Sequence, residues 1–579
     1  MLDLKIVGGT IVDGTGRPGY AGSVGIRDGR IVALGQVDEE ARKTLDASGR
    51  IVAPGFIDAH THYDPQCFWD PDLSPSCYHG VTTVLGGNCG FSIAPLSAES
   101  ASYLLPMLAR VEGMPKETLS AALTWDWSSF GDFLDRLEGT LGINAGFMVG
   151  HSAVRRLVMG PRAVGHRASA EEIAEMKRAV ADALAAGAMG FSTSTSPSHN
   201  DGDGQPVPSR HASREEILEL GSVVKDFEGT SLELLPDLAF QQETIDLLVD
   251  FSLAGQRPVN WNLLVVTGME AGDMARVERQ LGVGREAERR GARVVALTLP
   301  EGATIRINLV SGFVFDVVPR WAELFRMPLD ERIRRLRDPA YREHLRAGAE
   351  EATEQVRTFT RWGNLVIAEA KSAEYARFSG RTVGEAAAEL GLDPLDAMLD
   401  IALADDLATS FRKDGYETPE AYVLRGQLMQ DEFALIGGSD AGAHMDMIDT
   451  YAFSTKALEK SRTHGLMPLE QVVYRITQRI AHHFGLLDRG ELRVGAHADV
   501  VVFDADTVAC GPAYMRRDLP GTTEHGRLYS DAIGIDAVVV GGELFIEGNK
   551  IVGRRNGTVL RSGRDSYTPE LTPMREAAE

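Results

Sequence analysis

Short apolar runs alternate with longer stretches of helical period over most of the chain. The runs fall at 51–59, 81–88, 143–150, 187–194, 230–236, 258–266, 293–300 and 432–439. They are continuous in hydrophobicity, the pattern of parallel strands covered on both faces. One connection shows the helical signal clearly. Ser169 with Glu172 three residues on reads as a capping box, Ile173, Met176, Val180 and Leu184 repeat at helical spacing, and Gly187 ends the run. Eight such strands joined by helices predict an α/β chain with a (β/α)8 barrel.

The two ends differ from the middle and resemble each other. Val/Ile-rich runs broken by Gly or Asp-Gly occur at 4–12, 23–34 and 50–53, and again at 498–504, 536–547 and 550–553. These are hairpin signals. They predict a small β-sandwich domain formed from residues 1–54 and 489–579, flanking a barrel over 55–488. Two stretches exceed the repeat: 91–142, with Trp125, Trp127, Phe130 and Phe133, and 301–430, rich in Arg, Glu and Ala. Both follow carboxyl ends of predicted strands, where barrel enzymes build substrate sites; extra packing or an oligomer contact is the other reading of the second. The last fifteen or so residues read as a loose tail.

Composition narrows the function classes. Of 579 residues, 44 % are hydrophobic and 25 % charged, which is a globular composition. Lys and Arg number 59 against 83 Asp and Glu, a net charge of −24. Such a surface repels phosphate backbones and anionic lipid, which excludes nucleic acid and membrane as main partners. The four cysteines contain no Cys-x-x-Cys pair, and no run approaches the roughly 20 apolar residues of a spanning helix. With no secretory signal pattern, the reading expects a cytoplasmic protein that takes a small-molecule substrate, alone or as a homo-oligomer.

The most informative stretch is Pro54-Gly55-Phe56-Ile57-Asp58-Ala59-His60-Thr61-His62, at the end of the first barrel strand. Side chains at i and i+2 share a strand face, so His60 and His62 can grip one borderline-soft divalent ion such as zinc. This stretch, flanked by the split β domain, resembles the metal-dependent amidohydrolase superfamily. Gly87-Asn88-Cys89-Gly90, Gly150-His151-Ser152 with Arg155, Gly438-Ser439-Asp440, and Leu487-Asp488-Arg489-Gly490 with Gly495-Ala496-His497-Ala498-Asp499 resemble its N-acyl-D-amino-acid deacylase (D-aminoacylase) branch.

The resemblance implies roles residue by residue. His60, His62 and Cys89 are metal ligands, with one Zn2+ the expected ion. Asp440, ending the eighth strand, is the catalytic aspartate, acting as a base or as a further ligand. His151 faces the pocket or packs. Arg155 binds a substrate carboxylate or lies at the surface, and His444 is a pocket residue. Cys67, Cys77 and Cys510 match no ligand. His482 and His483 sit late in a helix over 468–485, where a cation suits the dipole.

The sequence then departs from the family pattern. The family carries Thr-His-x-Arg at the end of the fifth strand and Ser-His-x-Lys at the sixth. Here those strands read Ser231 to Asp237 and Pro258 to Val265 without a histidine, with Leu263 at the ligand position and Val265 at the carboxylate-holding lysine. Glu233, Asp237, Asn260 and Asn262 are the polar residues left there, and hydrogen bonding suits them better than ligation. Asn260 and Trp261 are read as substrate-binding. His199 and His211, in the loop 195–212, are solvated or supply a replacement ligand.

The implied activity is hydrolysis of an amide C–N bond, with an N-acyl-D-amino acid as the family's substrate class. A neutral or cyclic amide, or a larger acylated metabolite, is the second reading, since Leu234, Trp261 and Leu263 make apolar strand ends. A barrel that has lost catalysis and serves as a subunit is the third.

Overall fold

The computed structural model describes residues 1–571 except Leu238, Thr358 and Glu524. Eight parallel strands pair in chain order: Phe56–Asp58, Val81–Gly86, Asn144–Phe147 continued by Val149–Gly150, Gly190–Ser194, Ser231–Leu235, Val259–Leu264, Val294–Thr298 and Ala434–Ile436. A parallel bridge between Thr61 and Ala441 joins the eighth strand to the first. Below, these are strands one to eight. Their residues are buried almost throughout, which accounts for unbroken apolar runs in the sequence.

The predicted run 51–59 is two strands, because Gly55 separates them. A Cβ there would lie 2.1 Å from Thr82 Oγ1, so only glycine lets the backbone pass the second strand. Ile51–Pro54 belongs to a nine-stranded sheet built from both ends of the chain. It pairs antiparallel with Val500–Phe503, and Leu2–Ile11, Tyr20–Arg27, Ile535–Val540 and Glu543–Glu547 extend the sheet on either side. Leu4, Ile6, Val24, Val52, Val500, Val502 and Val539 share one buried cluster, so strands from both ends of the chain contribute to a common core.

Val559–Leu560 adds a parallel strand beside the third, and Leu560 is buried in one cluster with Ile57, Leu85, Met189, Val295 and Leu435. The chain then docks through Leu487 N–H to the Asp565 carbonyl and Tyr567 N–H to the Gly485 carbonyl. The first part of the expected loose tail is therefore fixed, and its end lies outside the described residues.

The helix Ala170–Ala185 forms as its capping box predicts, with Ser169 and Glu172 reciprocally bonded and Met176, Val180 and Leu184 buried. The expected helix 468–485 instead breaks at Thr477 into Leu469–Ile476 and Gln478–Phe484. His483 is buried there, and burial with Arg293 and Arg479 nearby pushes its pKa well down, so it is no helix-end cation. After strand two, Ala98–Val111, Lys116–Ala122 and Phe130–Leu137 form the first excursion. The 301–430 excursion has a three-stranded sheet and its own core around Phe315, Trp321, Ile367 and Phe411. Among the described residues no helix is long and apolar enough to cross a membrane.

Candidate metal centre

Four donor atoms converge where strands one, two and eight end. His60 Nε2 lies 3.1 Å from Asp440 Oδ1, and His62 Nε2 lies 3.6 Å from the same oxygen. Cys89 Sγ is 3.5 Å from His60 Nε2. The ligand atoms of His60, His62 and Cys89 all lie within 4.8 Å of one another. A tetrahedral zinc with bonds of about 2.0 Å to N or O and about 2.3 Å to S has edges of roughly 3.3–3.6 Å between its ligands. The residues present therefore fit a divalent cation. Asp440 Oδ1 is buried and accepts no well-formed hydrogen bond, while its side chain as a whole stays 30 % exposed. One carboxylate oxygen faces the donor cluster, and the group still reaches open space.

Electrostatics favour a cation at this point. Burial pushes the Cys89 thiol well up, and Glu233, Asp440 and Glu112 push it further. Burial raises Glu112 to about 7, Glu233 to about 8 and Asp64 to about 6. Burial pushes His62 down, but Glu112, Asp440 and Asp64 outweigh it and bring it to about 9. Several buried acids around two imidazoles and a thiol make a site whose charged form needs a positive partner. Glu112 Oε1 stands 3.4 Å from His62 Nδ1, the arrangement that orients a ligating imidazole. Cys89, Asp440 and His444 all have left-handed backbones, with φ of 56°, 53° and 45°. Residues with a Cβ hold that conformation at a cost of about 1–3 kcal/mol, typically at functional sites.

Residues 43–546 match the model of an amidohydrolase family. The chain belongs to that family. The D-aminoacylase of Alcaligenes xylosoxydans xylosoxydans is 30 % identical over 564 residues, covering 96 % of this chain and 97 % of that protein. A solved D-aminoacylase described with a binuclear metal center aligns at a TM-score of 0.66 and 27 % identity, covering 97 % of this chain and 100 % of that one. The N-acyl-D-glutamate deacylase of Bordetella bronchiseptica, complexed with zinc and a phosphonate mimic of the tetrahedral intermediate, aligns at 0.65 and 26 % identity, with coverage of 97 % and 100 %. Within the amidohydrolases this chain therefore stands in the D-aminoacylase branch, whose members are metal-dependent hydrolases of C–N bonds.

Several residues of this amidohydrolase lie elsewhere than the sequence suggested. Both ring nitrogens of His151 are engaged, Nδ1 with Thr193 Oγ1 at 2.8 Å and Nε2 with Glu216 Oε1 at 3.0 Å. Arg155 is fully buried, bonding Glu216 at 2.7 Å and the carbonyls of Ala163, Pro208 and His166. Its donors are spent inside the protein, so it is not a carboxylate clamp, and His151 is a packing residue. Trp261 points away from Asn260 and Asn262, as strand alternation demands, and packs on Phe240 at 4.6 Å in the main core. It is not substrate-binding.

Asn260 is buried, with neither amide atom hydrogen-bonded. Asn262 Nδ2 lies 3.3 Å from His60 Nε2, and Asp237 is exposed. His444 stays beside the cluster; burial lowers it to about 4 while Asp440 opposes. His199 is buried rather than solvated, held by Ser194 Oγ at 2.9 Å and packed on Phe91. His211 is half-buried against the Pro206 carbonyl. Glu112 and Glu216 escaped the sequence reading. Glu112 carries one weak signal, an acid between Val111 and Met114 in an apolar run.

Proposed function

We propose that this amidohydrolase folds its eight parallel strands as a (β/α)8 barrel and hydrolyses the amide bond of an N-acyl compound, in the first place an N-acyl-D-amino acid. One zinc ion would be held by His60, His62 and Cys89, with a position left open for water and Asp440 beside it as the base. The observation that carries the reading is the convergence of those four donor atoms at 3.1–3.6 Å along the measured edges. A divalent ion there supplies Lewis-acid polarisation of the amide carbonyl and acidification of water. Asp440 takes a proton from the water as oxygen attacks the carbonyl carbon, and returns it to the nitrogen as the C–N bond breaks. Burial pushes its pKa up, but His60 and His62 outweigh this and hold Asp440 well below the usual carboxylate range, so the group is ionised.

One observation favours a neutral amide as a second reading. A small pocket beside Asp440 is lined by Met445, Ile448, Tyr451 and Leu528 together with Gln66, Ser74 and Thr450. The arginine on its wall, Arg527, is already paired with Asp70 and Asp518. A panel of N-acyl-D-amino acids against their carboxamides separates the two substrate classes.

The test of the whole reading measures metal content and turnover on one preparation of wild type and Asp440→Asn. The expected result is about 10²–10⁴-fold lower kcat with metal retained. A variant that keeps most of its activity refutes the proton shuttle. Wild-type protein without metal, even after reconstitution, makes the chain a non-catalytic subunit.

A further inference from the structure

The turn that carries Cys89 is held by side chains from three other parts of the chain. Gly87 N–H donates to Asp64 Oδ2 at 3.0 Å. Ser192 Oγ accepts from Gly90 N–H at 3.0 Å and donates to the Gly87 carbonyl. Asn88 Nδ2 donates to the Leu85 carbonyl at 2.9 Å. The N–H of Cys89 itself donates to Glu233 Oε2 at 2.8 Å.

Glu233 is an unusual choice for that task. It is completely buried in the middle of strand five, in register with Ser192 on one side and Asn260 on the other. Its Oε1 has no hydrogen-bond partner, nor has either amide atom of Asn260. A hydroxyl does the same work for Gly90 without a buried charge. A carboxylate used for a single N–H carries an uncompensated desolvation cost, unless a positive charge nearby offsets it.

We propose that Glu233 is a positioning residue of the metal centre. It fixes the left-handed backbone of Cys89 so that Sγ points at His60, and its negative charge strengthens the hold on the cation. The inference rests on the reading of Cys89 as a ligand. It follows from the contact between strand five and the Cys89 turn, in a chain whose strand five has no histidine to offer.

The experiment loads wild type, Glu233→Gln and Glu233→Ala with cobalt(II). It records the thiolate-to-cobalt charge-transfer absorption and the cobalt dissociation constant by chelator competition. Glu233→Ala is expected to lose most of the absorption and about 10–100-fold in affinity, the usual range for such outer partners. Glu233→Gln, whose amide oxygen can still accept the Cys89 N–H, should keep the absorption and lose affinity only. A Glu233→Ala protein with absorption and affinity unchanged overturns the proposal, as does a Gln variant that loses the absorption as Ala does. If the Ala variant does not fold, Glu233→Asp replaces it, since its shorter side chain withdraws from Cys89 and should lose the absorption too. Absence of the absorption in wild type itself refutes Cys89 as a ligand, and the functional reading falls with the inference.

Discussion

Replacing Glu112 by Gln should have opposite effects on the metal-free and the metal-loaded protein. The substitution keeps the shape of the side chain and removes its charge, 3.4 Å from His62 Nδ1. At an effective dielectric of about 20, full charges at that distance interact by roughly 5 kcal/mol. Burial consumes much of this, as the rise of Glu112 from 4.5 to about 7 indicates. What remains for a bound cation falls within the usual 10–100-fold, or about 1.4–2.7 kcal/mol of affinity. In the metal-free protein the sign reverses. A carboxyl whose folded pKa is raised binds its proton more tightly folded than unfolded, so stability is lost as pH rises from about 4.5 through about 7. By pH 8 that loss amounts to about 3 kcal/mol. Glu112→Gln escapes it.

The assays for Glu112→Gln are zinc affinity by chelator competition and thermal unfolding of metal-free protein, both at pH 8. The variant should bind zinc more weakly and, without metal, unfold at a temperature equal to or above that of wild type. Zinc binding as tight as wild type would refute the orienting role of Glu112. A metal-free variant that unfolds well below wild type would refute the electrostatic account.

Cys89→Ser should weaken zinc retention, whereas Cys67→Ser, Cys77→Ser and Cys510→Ser should not, since the cation-sized cluster among the described residues contains Cys89 alone of the four; equal retention by all four variants would return Cys89 to ordinary packing. Glu216→Gln should destabilise the protein by about 3–5 kcal/mol at neutral pH by leaving buried Arg155 without its charge partner. Burial raises Glu216, but His151 and Arg155 bring it below its ordinary 4.5, so its contribution is present above that value and fades as pH falls through the folded one. Unfolding temperatures of the two proteins should therefore converge in acid, and a gap that stays constant or widens there contradicts the ion-pair account.

What the sequence shows and what it hides divide along the range of the contacts involved. His60, His62, Cys89 and Asp440 are legible because counting apolar runs places each within a few residues of a strand end, and the resemblance to the D-aminoacylase branch implies their roles there. Glu112 reaches His62 from a helical excursion 50 positions later in the chain, and no local period marks that meeting. Glu216 likewise meets His151 and Arg155 from the helix Arg214–Gly221, and with Thr193 it turns a motif-shaped Gly-His segment into packing. Trp261 is a different case, because the sequence contained its own correction. Asn260 and Trp261 are adjacent on one strand and must face opposite sides, so reading both as pocket residues contradicts the strand period. Asn262 beside His60 shows which parity faces the metal centre. The same parity extends across the register from Asn260 to Glu233. The inward polar positions of strands five and six are thus recoverable as a set once one member is placed. The missing histidines of those strands are not simply gaps, because the asparagines and the glutamate that occupy this face put a buried carboxylate on the turn that carries Cys89.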